Sequence, residues 1–196
     1  MEKHCTSAHQ AAPKSRTGLL LAGALALTAY ALPASAVEGV IFAGNGNAVD
    51  TVGINVRTDP LITWEFNGGS SAAVLGEAEI AHWHGKEVQV PNTNTNRNIL
   101  EIGFKPVVRY FPLASDAFRP YLEFGLGIHL LSHTSINQDR HLPSVFQFGE
   151  ILGIGAQFCP KLACSVAVRL QHVSNAGIKQ PNNGITFTQA SFGYRF

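Results

Sequence analysis

Charge is scarce in this chain, and it is nowhere clustered. Charged residues make up 14% of 196 residues and the formal net charge is +1, against roughly 25% charged residues in an ordinary soluble domain. Lysines and arginines are scattered singly, which excludes the basic face of a nucleic-acid-binding protein. Cysteine is nearly missing too: of the 3 present, Cys5 lies in the leading segment, leaving Cys159 and Cys164. Two thiols with no histidine pair beside them make a poor zinc site. After residue 32 no stretch approaches the ~18 consecutive apolar residues of a membrane-spanning helix. Glycines recur at a spacing of two and never as a GxGxxG before a helix, so no phosphate cradle is expected. Neither a metal nor a cofactor is called for, and helical periodicity is almost absent.

The first segment reads as a signal peptide. Lys14 and Arg16 precede an apolar run from Gly18 to Leu32, and Ala34-Ser35-Ala36 has the small-residue pattern of a cleavage site. Residues 1–36 are therefore expected to be removed, leaving Val37–Phe196 as one domain. Along that domain, apolar and polar residues alternate. Leu100, Ile102, Phe104, Val108 and Tyr110 share one face of a strand, opposite Glu101, Gly103, Lys105 and Arg109. The pattern recurs in 121–131, 145–158, 164–174 and 184–196. Two earlier segments, about Asp50 to Phe66 and Ser71 to Trp83, fit it as well, and Val37–Gly44 adds a short first strand. With that strand the count is eight, an even number that suits a bacterial transmembrane barrel.

Two arrangements fit an alternating barrel, and the side chains choose between them. A soluble ligand-binding barrel turns its apolar face inward. Here the polar face combines many glycines with Glu77, Glu79, Glu101, Lys105, Arg109, Glu123, Arg169 and Arg195. Small residues and opposite charges fill a narrow eight-stranded lumen, while the wide apolar face meets the demands of lipid. The expected fold is an all-β, eight-stranded antiparallel transmembrane β-barrel. Short connections near Asn67–Ser70, Leu113–Phe118 and Cys159–Ala163 alternate with long polar ones near Gly85–Asn98, Ser132–Ser144 and Asn175–Asn183. Short turns belong on the periplasmic side, so both termini are expected there. Trp64 and Tyr110 read as interfacial anchors, and His82 and His84 as the polar neighbours of an aromatic-belt Trp83 and not a metal site. His129 and His133 read as the polarity of a strand-to-loop junction.

Chemistry concentrates near the C-terminus. In the strand Cys164–Ser174 the outward stripe Val166, Val168, Leu170 continues into His172 and Ser174. A general base and a candidate nucleophile thus share a face, at roughly 7 Å between Cα atoms from ~3.3 Å per residue. Asn175 and the backbone N–H groups of the following turn, Gly177 among them, are placed to stabilise an oxyanion. Cys159 and Cys164 bracket a short turn in a chain bound for an oxidising compartment, which suggests a disulfide. If that turn is symmetric, Phe158 pairs with Cys164 and Glu150 falls opposite His172. A carboxylate on a lipid-facing wall is expensive unless it has a polar neighbour.

The stretch His172-Val173-Ser174-Asn175-Ala176-Gly177-Ile178-Lys179-Gln180-Pro181-Asn182-Asn183-Gly184-Ile185 resembles the signature of the lipid A 3-O-deacylase (PagL) family. The piece Arg119-Pro120-Tyr121-Leu122-Glu123-Phe124-Gly125-Leu126-Gly127 supports the likeness. What this implies is an outer-membrane serine esterase with a Ser-His-Glu triad on its lipid-facing wall. It removes the ester-linked hydroxyacyl chain at position 3 of lipid A. By that likeness His172 is the base, Ser174 the nucleophile and Asn175 the oxyanion partner. Its partners are lipopolysaccharide and the outer membrane, with a homodimer as the one protein partner left open. The chain departs from the signature at Thr186, where the family carries its triad glutamate. A hydroxyl can orient an imidazole but brings no negative charge. Two expectations follow: Glu150 supplies part of that charge, or the barrel is an impaired, non-enzymatic member of the same fold.

Overall fold

A computed structural model describes residues 37–86, 98–137, 140–180, 182 and 184–196. The expected signal peptide, residues 1–36, and most of the 85–98 connection lie outside the described residues. The strands are β1 (Glu38–Gly46), β2 (Val49–Arg57), β3 (Ile62–Glu65), β4 (Ser71–Gly85), β5 (Asn98–Phe111), β6 (Arg119–Leu131), β7 (Ser135–Asn137), β8 (Arg140–His141), β9 (Phe146–Phe158), β10 (Cys164–Ser174) and β11 (Ile185–Arg195). β7 and β8 form a separate small hairpin, and β2 and β3 both pair with β4, so they make one stave. The eight staves run antiparallel in sequence order, and pairing of β1 with β11 closes the sheet into a barrel.

The segment expected as one strand from Asp50 to Phe66 is broken in the middle. Residues 58–61 stand opposite only Leu75 and Gly76, so the stave bulges there. Pro60 has no N–H for the ladder, which confines it to such an interruption. Flanking bonds from Thr58 N to Gly76 O (3.0 Å) and Leu61 N to Val74 O (2.7 Å) resume the pairing. At the turn after β9, Cys159 and Cys164 form a disulfide with Cα atoms 5.4 Å apart.

Alternation decides what faces where. Ile102, Phe104, Leu122, Phe124, Leu152, Ile154 and Val168 are exposed on the outer wall, as a lipid-facing band requires. The inward face holds a closed ring of charges of alternating sign. Arg57 bridges Glu38 (3.3 Å) and Glu77 (2.5 Å). Arg169 grips both oxygens of Glu77 (3.0 and 3.0 Å) and donates through Nε to Glu123. Arg109 closes the circuit from Glu123 (3.1 Å) back to Glu38 (3.3 Å). Lys105 branches from Glu77 (3.2 Å) to Glu79 (2.7 Å). Every member is at most 3% exposed.

Towards the end of the long loops the filling changes character. His129 belongs here, not to the loop polarity expected for it. Its ring is fully buried, with Nδ1 2.5 Å from Glu101, which also accepts a bond from Trp83 Nε1 (2.5 Å). Gly149 makes the room, since a Cβ there would lie 2.0 Å from His129 Nε2. Above this pair an apolar cluster closes the lumen, with Trp83 against Phe187 (centroids 4.9 Å) and Ile136, Leu142, Val173 and Ile185 around them.

The charge ring yields a prediction about stability. Glu77→Ala strips Arg57, Arg169 and Lys105 of a shared partner, and breaking a buried ion pair from one side costs about 3–5 kcal/mol. Urea unfolding of the refolded barrel should show a loss of that order, whereas Val168→Ala on the outer wall should change the midpoint far less. Equal midpoints for the two variants would contradict the ring's structural role.

Candidate active site

β10 reaches its far end with Val173 buried inward and cross-paired with the buried Ile185 of β11. Those two anchors sit in the apolar cluster, so alternation turns His172 and Ser174 outward. Both are half-buried, and they share the outer stripe with Leu170, Val168 and Val166. His172 is flanked on both sides. Across β11 it pairs with Thr186, and across β9 with Glu150. Thr186 Oγ1 lies 2.8 Å from His172 Nδ1, within hydrogen-bond reach. That contact leaves Nε2 as the ring nitrogen available to a nucleophile, the division of labour an acyl-transfer base needs. Glu150 and Thr186 are both exposed on the outer face.

Ser174 pairs with Phe148 across β9. Among the described residues no side-chain hydrogen bond joins Ser174 to His172, a gap that catalytic pairs often close only around substrate. Gly184, just before β11, packs against both. An added Cβ there would sit 2.8 Å from His172 Cε1, 2.9 Å from its Nε2 and 2.8 Å from Ser174 Cβ. The missing side chain at 184 therefore preserves the space between His172 and Ser174. Its role was not read from the sequence, because a glycine before a strand looks like any loop glycine.

The loop after Ser174 is built on Asn175, which is 2% exposed. Its Nδ2 donates to Lys179 O (3.0 Å), its Oδ1 accepts from Gly177 N (3.1 Å), and its backbone N–H donates to Asn182 Oδ1 (3.2 Å). Ile178 N bonds to Asn175 O (3.1 Å) across Ala176 (φ 54) and Gly177 (φ 77). Two central residues at positive φ define a tight turn for which glycine suits the second position. The expected oxyanion groups thus have other work: the Gly177 N–H is committed to Asn175. The Asn175 amide keeps one hydrogen beyond the bond to Lys179. Glu79, Glu101 and His129 form a cluster of ligand-type side chains within 4.8 Å of one another, but it lies buried in the lumen with Lys105 on Glu79.

Comparison with known proteins matches the chain and its barrel. The sequence model described as lipid A 3-O-deacylase (PagL) covers residues 50–195. The chain belongs to the lipid A 3-O-deacylase (PagL) family. It is 29% identical over 154 residues to the lipid A deacylase PagL of Bordetella bronchiseptica, covering 78% of this chain and 80% of that protein. To the lipid A deacylase PagL of Pseudomonas aeruginosa it is 40% identical over 84 residues, 43% of this chain and 46% of that protein. A crystal structure of the outer membrane enzyme PagL superposes with a TM-score of 0.69 at 26% identity, covering 80% of this chain and 98% of the other. This PagL-family chain is an outer-membrane β-barrel, homologous to lipid A deacylases.

The packing of Gly184 can be tested directly. In Gly184→Ala the new methyl must displace the imidazole or the loop, since Cβ contacts below 3.0 Å do not occur. The side-chain ¹⁵N resonances of His172 in detergent micelles should shift, while the heat-modifiable gel mobility of the barrel stays as in wild type. Unmoved His172 resonances would mean that the loop yields and the glycine is dispensable.

Proposed function

We propose that this chain hydrolyses the ester-linked 3-hydroxyacyl chain at position 3 of lipid A, acting as a serine esterase in the outer leaflet. The carrying observation is the pairing of His172 and Ser174 on the outward stripe of β10, with His172 Nδ1 held by Thr186 at 2.8 Å. Family membership supports the substrate class. In this reading the long-loop end faces outward and both termini are periplasmic, after removal of residues 1–36. The reactive pair then meets lipopolysaccharide from outside the cylinder, with acyl chains lying beside Val166, Val168 and Leu170.

The reaction proceeds in two halves. Ser174 Oγ attacks the ester carbonyl as His172 Nε2 takes its proton. The tetrahedral oxyanion meets the remaining amide hydrogen of Asn175. Collapse breaks the ester bond, and His172 hands the proton to the departing sugar hydroxyl, leaving an acyl-Ser174. Water, deprotonated by His172, then releases the hydroxy fatty acid and restores the serine. Thr186 orients the imidazole, and the Glu150 carboxylate, cross-paired on the other flank, stabilises imidazolium as it forms. The reaction needs one chain, and no feature described above supports a homodimer.

A second reading is favoured by one observation, the threonine at the position of the family's acid. In that reading the barrel keeps the fold and has lost the chemistry. Mass spectrometry of lipid A from cells producing wild type or Ser174→Ala separates the two. The enzyme predicts loss of one hydroxyacyl chain with wild type only. Identical lipid A, with both barrels folded in the membrane, would leave the scaffold reading standing.

The triad position gives a further prediction. In a serine-protease triad, replacing the acid by its amide lowers kcat by ~10⁴. Thr186→Glu should therefore raise deacylation by a large factor, on the order of 10²-fold or more, and Glu150→Gln should lower the wild-type rate without changing barrel stability. Full activity in Glu150→Gln would remove that carboxylate from the mechanism.

A further inference from the structure

A small cavity of ≈ 120 Å³ opens in the lumen at the end that carries the chain termini. It lies at the opposite ends of β10 and β11 from His172 and Ser174. Three guanidinium groups line it, from Arg109 on β5, Arg119 at the start of β6 and Arg195 at the end of β11. Among the described residues Glu65 is the one carboxylate in the lining, and Ser71 and Gln157 add neutral polar groups. Arg109 is already matched by Glu38 and Glu123 in the charge ring, so Arg119, Arg195 and Glu65 leave the local balance one unit positive.

The arginines are held in place with donors to spare. Arg119 lies 3.9 Å over the Phe111 ring and donates from Nη2 to Ser71 Oγ (2.7 Å), but its Nε is buried without a partner. Arg109 spends Nε on Glu123 and Nη1 on Glu38 and stacks 4.4 Å over Tyr121, while its Nη2 is buried without a partner. Arg109 as a whole is 1% exposed. Arg195 makes no side-chain hydrogen bond or ion pair among the described residues. Folded proteins rarely leave such donors buried and unmet. Stacked, pre-oriented guanidinium forks are the usual means of recognising a tetrahedral oxyanion.

We infer that this cavity binds a phosphate group, whether free inorganic phosphate or the phosphate of a phospholipid headgroup. Its size admits a single phosphate-sized group and no larger molecule whole. On the orientation proposed above the mouth opens to the periplasm, level with the headgroups of the inner leaflet. A headgroup thus needs only to extend inward past Arg195. The site is independent of the ester chemistry at the other end of the barrel.

Calorimetry on the refolded, detergent-solubilised barrel tests this at constant ionic strength, because screening alters all anion binding. One arm titrates inorganic phosphate, the other dihexanoylphosphatidylglycerol as a soluble headgroup carrier. Saturable binding of either ligand, weakened at least about tenfold in Arg119→Gln and in Arg195→Gln, is expected from loss of one charge-assisted bond. Binding of phosphate alone identifies the free ion, and binding of the phospholipid alone identifies the headgroup. Lipid A deacylation should be unchanged in both variants, which keeps this outcome separate from that of the catalytic reading. Among the described residues Arg195 has no side-chain partner to lose, so Arg195→Gln folds even if Arg119→Gln does not. No saturable binding in either arm, or binding unaffected by Arg195→Gln, overturns the inference and leaves the cavity to water.

Discussion

The rest of this barrel depends on the closed ring Glu38–Arg57–Glu77–Arg169–Glu123–Arg109. Lipid on the outer wall is as apolar as the side chains facing it, so the hydrophobic effect does little to order the staves there. Order has to come from the lumen. The ring reaches β1, β2, β4, β5, β6 and β10, and each member touches two neighbours of opposite sign. Removing these charges from water is costly, and a single pair seldom recovers the cost. A circuit does better, because each desolvated group has two opposite charges at hydrogen-bond distance. Ser165 adds a further bond to Glu38.

This interior determines where the proposed chemistry stands. On β10, Arg169, Gln171 and Val173 point inward. Arg169 is locked in the ring, and Gln171 donates to Glu79 (3.2 Å) and accepts from Gln189 (2.9 Å). Val173 is sealed in the apolar cluster with Ile185. Three consecutive inward anchors of different kinds immobilise the backbone from which His172 and Ser174 project outward. A serine and its base gain from being held in register before substrate arrives. The loop built on Asn175 extends that rigidity past the strand end, and Gly184 brings it back against the pair without intruding on it.

Much of this could be read from the residues, for definite reasons. Period-two alternation on every stave assigned both faces, and charges on the glycine-bearing face marked the lumen. A short turn between two cysteines was enough to set β9 against β10, which pairs Glu150 with His172. Other features were hidden. Glu38 lies at the first residue of β1 and Arg57 just before the bulge at Pro60, where strand ends blur the inward-outward assignment. His129 looked like junction polarity because its partner Glu101 is 28 positions away, and nothing local announces that contact. Gly149 and Gly184 matter for the side chains they let approach from other strands. That property belongs to packing, and no single-strand pattern carries it. The bonds of Asn175 to Lys179 and Gly177 depend on a loop conformation with two residues at positive φ, one of them an alanine.

The flanks of His172 bear on how a triad can be divided. A triad acid does two things: it accepts the Nδ1 proton, which sets tautomer and ring angle, and it offers negative charge to the imidazolium. In the proposed mechanism the first task falls to the neutral hydroxyl of Thr186 and the second to the carboxylate of Glu150. The hydroxyl is at bonding distance, so orientation is well served. The charge acts across one inter-strand spacing, where attraction falls only as the inverse of distance and is strengthened wherever lipid lowers the local dielectric. Direction needs contact, whereas charge does not. Two strands can therefore share a role that one glutamate fills in the family signature. The cost of that separation falls on the transition state, since a carboxylate without the Nδ1 bond gains less as the ring becomes cationic. Such a site retains the geometry of an esterase while giving up part of its electrostatic preorganisation.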